Sequence, residues 1–312
     1  MSVIYDLEHT TTYRYRNFVT FGEHRAIFLP STGYGGRILS YSLNANIPCE
    51  TRWMMDTLSN NVTLLTFREP AKELTVIYRV RAEHFGIPTI EDFPLDHRAD
   101  QIPVQYTPDE WSDLSGFIRP HTEDPEGRLA TWTKRFVAGD QDDTLDVLQR
   151  MMDCINQTLT YEAREVEGTQ SPAETLRLQS GTCRDYAWLM IEALRRLGLA
   201  CRFVSGYLYD SSLDGGEIGM TGSGATHAWV QVYLPGAGWR AYDPTNRITA
   251  GYDLMRVAIA RHPGQVMPLS GSWFGEAGDY LGMDVQVSIR KLATLPEFDE
   301  AQSIPLATTG SN

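Results

Sequence analysis

A cysteine opens a predicted helix in the stretch Ser180-Gly181-Thr182-Cys183-Arg184-Asp185-Tyr186. After that cysteine, apolar residues recur at the three- and four-residue spacing of one helix face, at Ala187, Ile191 and Leu194. Gly198 suits the end of the helix, because glycine readily adopts the left-handed conformation that often follows the last turn. The sequence therefore predicts a helix from Cys183 to about Leu197, with the cysteine at its N-terminus.

Two residue types that assist thiol chemistry follow further along the chain. His227 begins a predicted strand over 227–233, and Asp243 ends the next one, over 239–243. A helix N-terminus favours an anion such as a thiolate, and an imidazole can take up the proton of the thiol. A carboxylate behind the imidazole fixes its tautomer. The order Cys183, His227, Asp243 therefore predicts an activated thiol and covalent acyl transfer or amide hydrolysis.

Each of these residues also has an ordinary structural explanation. Cys183 could be an inert thiol of the core, and His227 a hydrogen-bonded structural residue of its strand. Asp243, just before Pro244, could simply start a turn. Their joint occurrence at the ends of successive elements favours the catalytic interpretation. A zinc site built from the same three residues would lack the closely spaced ligand pair typical of zinc, so no metal or other cofactor is predicted.

Composition excludes several classes of partner. The chain has 312 residues, of which 42% are apolar, as expected for a packed protein of one large or two medium domains. Its net charge of −13 makes nucleic-acid binding and docking on anionic lipid unfavourable. The chemistry expected at Cys183 would instead take a peptide or protein substrate, with water or an amine as the acceptor.

The sequence also predicts a cytoplasmic protein. No apolar run reaches the ~18 residues that span a bilayer. The stretch 1–8 is acidic where a signal peptide is basic, and it lacks an apolar segment. The four cysteines form no disulfide framework and no CxxC pair, so we expect free thiols.

The chain divides into three regions by pattern. Region 1–105 is β-rich, with predicted strands and turn signals typical of a β-sandwich, at 5–15, 37–43, 53–56, 62–67 and 74–82. Within it and just beyond, 86–110 is rich in proline and predicts an extended linker. Region 106–292 is predicted to hold the catalytic core, with helices over 129–136, 143–159 and from Ser171, and strands over 201–209, 227–233, 239–243 and 285–290. Region 293–312 is expected to be a flexible tail.

Two acidic groups were weighed as calcium ligands. Helix capping explains Asp140, Asp142 and Asp143 better, and a solvated loop explains Asp210, Asp214 and Glu217. Neither group predicts a metal site.

Five blocks of sequence resemble the transglutaminase-like superfamily of cysteine enzymes. They are 171–176, 181–187, 202–207, 226–230 and 239–245, in this order. The first ~80 residues are similar to the β-rich domain that accompanies this core in bacterial proteins.

The resemblance implies an α+β fold, in which a papain-like (transglutaminase-type) core follows an N-terminal β-sandwich. The nucleophile helix of that core packs on an antiparallel sheet. By position Cys183 is then the nucleophile, His227 the base and Asp243 the orienting residue, with the backbone N–H of Cys183 as one oxyanion donor. We take Tyr161 and Trp229 as candidates for substrate contact. Calcium dependence is not implied.

The sequence leaves two functions open. The first is a peptidase, an amidase or a transglutaminase-type acyl transferase that works through a thioester at Cys183, with hydrolysis favoured because water is always present. The second is a catalytically silent binding or scaffold protein with the same fold.

Overall fold

The computed structural model describes residues 2–33, 35–139, 142–162, 168–210, 212, 220–222 and 224–292. Three of the acidic residues weighed above, Asp140, Asp214 and Glu217, lie outside the described residues, as does the expected tail 293–312.

The secondary structure begins with long strands, continues with helices and ends with strands. The first strands are β1 (Val3–Phe21), β2 (His24–Ala26), β3 (Gly36–Ala45), β4 (Cys49–Met55), β5 (Asn61–Phe67) and β6 (Ala71–His84). The middle of the chain holds β7 (Gln101–Ile102), α1 (Pro108–Ile118), α2 (Arg128–Thr133), β8 (Asp142–Asp143), α3 (Thr144–Thr158), β9 (Thr160–Tyr161), α4 (Pro172–Leu178), β10 (Ser180–Gly181) and α5 (Cys183–Arg196). The last strands are β11 (Cys201–Leu208), β12 (Thr226–Leu234), β13 (Gly238–Tyr242), β14 (Leu254–Ala260), β15 (Leu269–Ser270), β16 (Trp273–Phe274) and β17 (Tyr280–Leu292). Single 3-10 turns lie at Ile90–Asp92, His97–Ala99, Lys134–Phe136 and Pro263–Gln265.

Two sheets contain the N-terminal strands, and all five strands predicted before residue 85 are present. In the larger sheet the order is β16-β1-β6-β3, and β17 also pairs with β1. In the smaller sheet the order is β15-β2-β5-β4. Strand β6 buries every second residue because side chains alternate across a strand, and its inward set is Leu74, Val76, Tyr78, Val80 and Ala82.

The chain returns to these N-terminal sheets after the core. Strand β15 pairs with β2, and β16 and β17 both pair with β1. Strand β17 runs antiparallel to β1 from Ile4↔Leu292 to Tyr15↔Tyr280, which is longer than the strand predicted over 285–290. Residues 269–292, which the division by pattern assigns to the core, therefore hydrogen-bond into the sheets of the first region. Alternation in a strand indicates which face is buried but not which strand lies beside it.

Helices occur where capping signals precede apolar periodicity. Ser171 accepts a hydrogen bond from the N–H of Glu174 and α4 begins at Pro172, as predicted. Asp143 caps α3 by accepting from the N–H of Asp146, which confirms its capping role. None of the helices in the described ranges is long and apolar enough to cross a membrane.

Helix α1 was not predicted, because it starts inside the proline-rich stretch 86–110. Thr107 and Glu110 form a reciprocal capping box around Pro108. Proline is compatible with a first helical turn, where its missing N–H has no partner to lose. The other residues of that stretch contain only short elements, as expected of a linker.

The core is an antiparallel sheet of order β13-β12-β11-β14, with α5 packed on β12 and β11. The strands predicted over 201–209, 227–233 and 239–243 are all in it, whereas β14 was not predicted. Helix α5 is buried along almost its whole length, and full burial of a side chain such as Leu189 or Ile191 contributes about 1.5–3 kcal/mol.

An internal ion network fixes the C-terminal half of α5. The Glu192 carboxylate is fully buried, accepts from the backbone N–H groups of His121 and Thr122, and pairs with Arg195 and Arg196. Arg195 also donates to the carbonyl of Cys201 at the start of β11. These buried charges join α5 to the backbone at His121 and Thr122 and to the start of β11. The network therefore holds α5 in one position on its sheet.

Candidate active site

Cys183 is the first residue of α5, and a capping box fixes the turn that precedes it. Asp185 is fully buried, and its Oδ2 accepts from the backbone N–H and from the hydroxyl of Thr182, at 2.8 and 2.9 Å. Its Oδ1 accepts from the N–H of Gln170 at 2.7 Å. Asp185 therefore fixes the local backbone around the N-terminus of α5.

The Cys183 thiol is almost completely enclosed. The residue is 4% exposed, and its Sγ points at the carbonyl oxygen of Thr226, 4.0 Å away. At the first position of a helix its backbone N–H has no partner within the helix, and the helix dipole favours a negative charge there. The local backbone therefore suits both a thiolate and an oxyanion formed next to it.

His227 and Asp243 lie beside this helix end on neighbouring strands. His227 is the second residue of β12, and Asp243 directly follows β13. Nε2 of His227 contacts Oδ2 of Asp243 at 2.8 Å, and both side chains are fully buried. Nδ1 of His227, the other ring nitrogen, has no hydrogen-bond partner among the described residues. The structure thus brings Cys183, His227 and Asp243 together, with one imidazole nitrogen left for the thiol.

The electrostatics of the site favour a charged thiol–imidazole pair. Burial raises the pKa of the Cys183 thiol, but the charge of His227 and then that of Arg184 outweigh burial and hold this pKa below its ordinary value. Burial lowers the pKa of His227, but Asp243 and Cys183 together raise it above its ordinary value. The two directions are complementary, because a thiolate and an imidazolium stabilise each other.

Two of the other cysteines lie in a different environment. Burial raises the pKa of both Cys49 and Cys201 above its ordinary value. All four cysteines are free thiols, as predicted. Within the described ranges, no three or more His, Cys, Asp or Glu side chains are arranged to hold a metal ion.

Tyr161 lies at the same site. Its backbone pairs in parallel with Gly181, two residues before Cys183. Its hydroxyl oxygen is 2.8 Å from the position that a Cβ on Gly222 would occupy, and Nδ1 of His227 is 3.7 Å from that position. Burial, and next the charge of Cys183, raises the pKa of Tyr161, so its hydroxyl remains a proton donor. Gly222 is required here, because a side chain would collide with the tyrosine and its φ is +82°.

Trp229, the second candidate for substrate contact, is fully buried in β12. Its ring stacks against His227, with centroids 6.1 Å apart and an interplanar angle of 26°. It also covers Gly206 of β11, where a Cβ would lie 2.6 Å from the indole. Trp229 therefore supports the imidazole from inside the protein, and its contact with a substrate stays a prediction.

Sequence reasoning missed the residues that hold Asp243. The backbone N–H of Thr245 donates to its Oδ1 at 2.8 Å, and Nδ2 of Asn246 approaches its Oδ2 at 3.3 Å. The amide of Asn246 also exchanges hydrogen bonds with the backbone of Thr221, next to Gly222. Asn246 therefore connects the backbone at Thr221 to the Asp243 carboxylate. Asn246 follows Asp243 by three residues in a predicted turn, and this spacing was the signal that could have indicated the contact.

A buried cysteine at a helix N-terminus, beside a hydrogen-bonded histidine and aspartate, is typical of the class of cysteine-nucleophile sites. Comparison with known families agrees with this class. Residues 130–244 match the transglutaminase-like superfamily, and residues 5–83 match the bacterial transglutaminase-like N-terminal region. The chain therefore contains a transglutaminase-like core and a bacterial transglutaminase-like N-terminal region, which confirms the resemblance inferred from its sequence.

Two curated relatives are mycobacterial. The uncharacterized protein ML0607 of Mycobacterium leprae is 36% identical over 123 residues, which are 39% of this chain and 42% of that protein. The uncharacterized protein Rv2569c of Mycobacterium tuberculosis is 26% identical over 298 residues, which are 91% of this chain and 92% of that protein. The chain thus spans less than half of the first relative and nearly all of the second.

One solved structure resembles almost the whole chain. It comes from Cytophaga hutchinsonii and is named as a candidate cysteine protease. The TM-score is 0.69, with 97% of this chain and 96% of that chain covered, at 17% sequence identity. This likeness establishes a shared mixed α/β fold that extends over both the N-terminal sheets and the core.

Proposed function

We propose that this protein is a cysteine enzyme that cleaves an amide or peptide bond through a thioester at Cys183. The observation that carries the proposal is the enclosed Cys183 thiol at a helix N-terminus, with the hydrogen-bonded pair of His227 and Asp243 beside it. The lowered pKa of the thiol supports it, because the thiolate is the reactive form.

The reaction follows from these positions. The Cys183 sulfur attacks the substrate carbonyl and forms a tetrahedral oxyanion, to which the backbone N–H of Cys183 and the hydroxyl of Tyr161 donate. His227 then gives its proton to the leaving nitrogen, the carbon–nitrogen bond breaks, and the acyl group remains on sulfur as a thioester. Asp243 keeps the imidazole in the tautomer that this transfer needs.

The second half of the reaction consumes the thioester. Water, deprotonated by His227, attacks the carbonyl carbon, the carbon–sulfur bond breaks, and the products are a carboxylic acid and free Cys183. An amine in place of water gives a new amide, as in a transglutaminase. We favour water because an amine needs a pocket of its own. The net charge of −13 would steer a basic peptide or protein substrate toward the enzyme.

The architecture proposed with this function is a papain-like core preceded by a β-sandwich of the two N-terminal sheets. The close packing of α5 on β12 and β11 supports the first part. The buried, alternating strands β1 and β6 support the second. We retain a cytoplasmic location as a proposal.

Trapping the thioester tests the function. The protein is mixed with casein or a panel of peptide amides, quenched in acid and mapped by mass spectrometry, with and without monodansylcadaverine as the amine. We expect an acyl adduct on Cys183, faster release of acid than of amine conjugate, and no product with Cys183→Ala. Cys154→Ala, at a half-buried thiol on α3, is the matched control and should retain activity. Product formation by Cys183→Ala would rule the proposal out.

A silent scaffold is the alternative function. It would use the N-terminal sheets to bind a partner, whatever the state of the thiol. Capture of the same partner by wild type and Cys183→Ala, together with ordinary reactivity of Cys183, would favour it over the enzyme.

A further inference from the structure

A cavity separate from the thiol site lies between the N-terminal sheet and the core sheet. Its volume is about 250 Å³, and its walls come from β3 and β6, from residues 86–93 and from strands β12 to β14. Trp229 lines it, with the ring that stacks against His227. The indole therefore stands between this cavity and the imidazole of the thiol site.

The cavity is lined by three arginines and one carboxylate. Arg37 pairs with that carboxylate, Glu83, at 2.6 Å. Arg240 and Arg256 have no carboxylate within ion-pair distance in the part of the chain that the structure describes. Burial lowers the pKa of Arg240, and Tyr242 and then Asp92 oppose this only through space. The lining thus has an excess of positive charge.

A further guanidinium increases this excess. Arg202 on β11 donates to the amide oxygen of Gln231 at 2.9 Å and lies 4.1 Å above the ring centroid of Trp239, and both partners line the cavity. Burial, and after it repulsion from Arg256, lowers the pKa of Arg202. Arg202 is buried and Arg256 is half-buried. Two such guanidinium groups that repel each other without a neutralising acid are unfavourable, so an anion at the cavity would be stabilising.

Several buried donors at the cavity lack acceptors. Nε and Nη1 of Arg240 have no hydrogen-bond partner among the described residues, and neither has Nε1 of Trp229, whose residue is fully buried. Buried N–H groups are nearly always satisfied in native structures. These donors therefore indicate an acceptor that the described residues do not provide.

The other walls are largely apolar, with both aromatic and aliphatic side chains. The guanidinium of Arg240 lies 4.0 Å above the ring centroid of Phe93, and Trp229 and Trp239 also line the cavity, together with Ile38 and Leu254. A ligand that fits must present a charged acceptor to the arginines and an apolar body to the rings. Its size must match a cavity of about 250 Å³, which suits a small organic molecule.

We propose that this cavity binds a small organic carboxylate, with its carboxyl group on Arg240 and Arg256 and its apolar body against Trp229, Trp239 and Phe93. A carboxylate matches the planar fork of a guanidinium in a bidentate manner, and the aromatic walls favour an organic anion over inorganic phosphate. The proposal does not depend on the reaction at Cys183.

Titration calorimetry of the full chain with benzoate tests the site. Benzyl alcohol tests the need for the charge, and inorganic phosphate tests the need for the apolar body. We expect saturable binding of benzoate and at least tenfold weaker binding of the other two probes. Arg240→Met and Arg256→Met should each weaken benzoate about tenfold or more, because each loses charge-assisted hydrogen bonds. Arg150→Met, at an exposed position on α3, should change nothing.

Thermal melting and the variant Arg256→Lys distinguish loss of binding from loss of folding. If Arg256→Met melts early, the lysine variant, which keeps the charge but not the planar fork, should fold and still bind more weakly than wild type. Absence of benzoate binding to wild type, or benzoate binding that Arg240→Met and Arg256→Lys both leave unchanged, would overturn the proposal. Tighter binding of phosphate than of benzoate would also overturn it.

Discussion

Nε2 of His227 and Oδ2 of Asp243 lie 2.8 Å apart, where both side chains are fully buried. Because the histidine uses this nitrogen for the carboxylate, only Nδ1 remains for the thiol. The carboxylate is in turn held by the backbone N–H of Thr245. The imidazole therefore has a fixed tautomer and a fixed orientation before any substrate arrives.

Asp243→Asn tests whether Asp243 acts through its negative charge as well as by orienting the imidazole of His227. The amide keeps the size of the side chain but removes the negative charge that stabilises an imidazolium, so turnover should fall by about 10²–10⁴-fold with little change in KM. The rate of product release and the alkylation rate of Cys183 are both measured. We also expect the pKa of His227 to fall, since Asp243 is the main group that raises it. Turnover within threefold of wild type would contradict the role given to Asp243.

Tyr161→Phe should impair acylation more than alkylation. Acylation of Cys183 by p-nitrophenyl acetate passes through an oxyanion, whereas alkylation by iodoacetamide does not. Loss of one oxyanion donor costs about 10²–10³-fold, so the burst of p-nitrophenolate should slow while alkylation changes little. Tyr186→Phe is the matched control, because that ring packs edge-on against Tyr161 and its hydroxyl has no hydrogen-bond partner among the described residues.

Two outcomes would count against the tyrosine as an oxyanion donor. If acylation and alkylation slowed by the same factor, the hydroxyl would act on the thiolate and not on the oxyanion. If neither changed, Tyr161 would have no chemical role. A wild-type burst that persists in Cys183→Ala would instead refute the nucleophile itself.

Acid should destabilise the N-terminal sheet through His9. This histidine is fully buried between the hydroxyls of Tyr207 and Thr11, and burial lowers its pKa from 6.5 to about 4. The unfolded chain therefore binds a proton more readily, and the free energy of unfolding falls as pH drops from 6.5 toward 4. This difference between the pKa values of His9 in the unfolded and folded chain lowers the free energy of unfolding by at most about 3 kcal/mol.

Urea unfolding at neutral and acid pH measures this contribution. His9→Gln, which retains hydrogen bonding but cannot titrate, should lose much of the acid-induced drop in stability. His97→Gln, at an exposed histidine, should behave as wild type. An equal drop in wild type and His9→Gln would assign acid sensitivity to other groups.

Local signals in the sequence predicted the elements that carry the site. The apolar face after Cys183, the serine cap at Ser171 and the alternation through His227 each depend on residues within a few positions of one another. Such local patterns predict the folded elements well, because the apolar face that the pattern defines is the face that packs against the core. The capping role of Asp143 followed from the same kind of argument.

What the sequence could not predict depends on contacts between distant residues. The pairing of β17 with β1 joins segments about 280 residues apart, and no local pattern indicates the partner of a strand. The sequence does not predict helix α1, because proline is typical of linkers and also suits a first helical turn. The packing of Trp229 behind His227 needed the register of two strands.

Site-resolved alkylation of the native protein across pH tests the central claim most directly. Iodoacetamide labelling is quantified by mass spectrometry on the peptides that contain each of the four cysteines, in wild type and in His227→Ala. The account predicts that Cys183 alone reacts rapidly below pH ~7, because its thiolate is stabilised by His227. In His227→Ala, burial raises the pKa of the Cys183 thiol with no imidazolium charge to oppose it. Alkylation of Cys183 should therefore require a higher pH. A Cys183 that reacts as an ordinary thiol, with no effect of His227→Ala, would contradict the account.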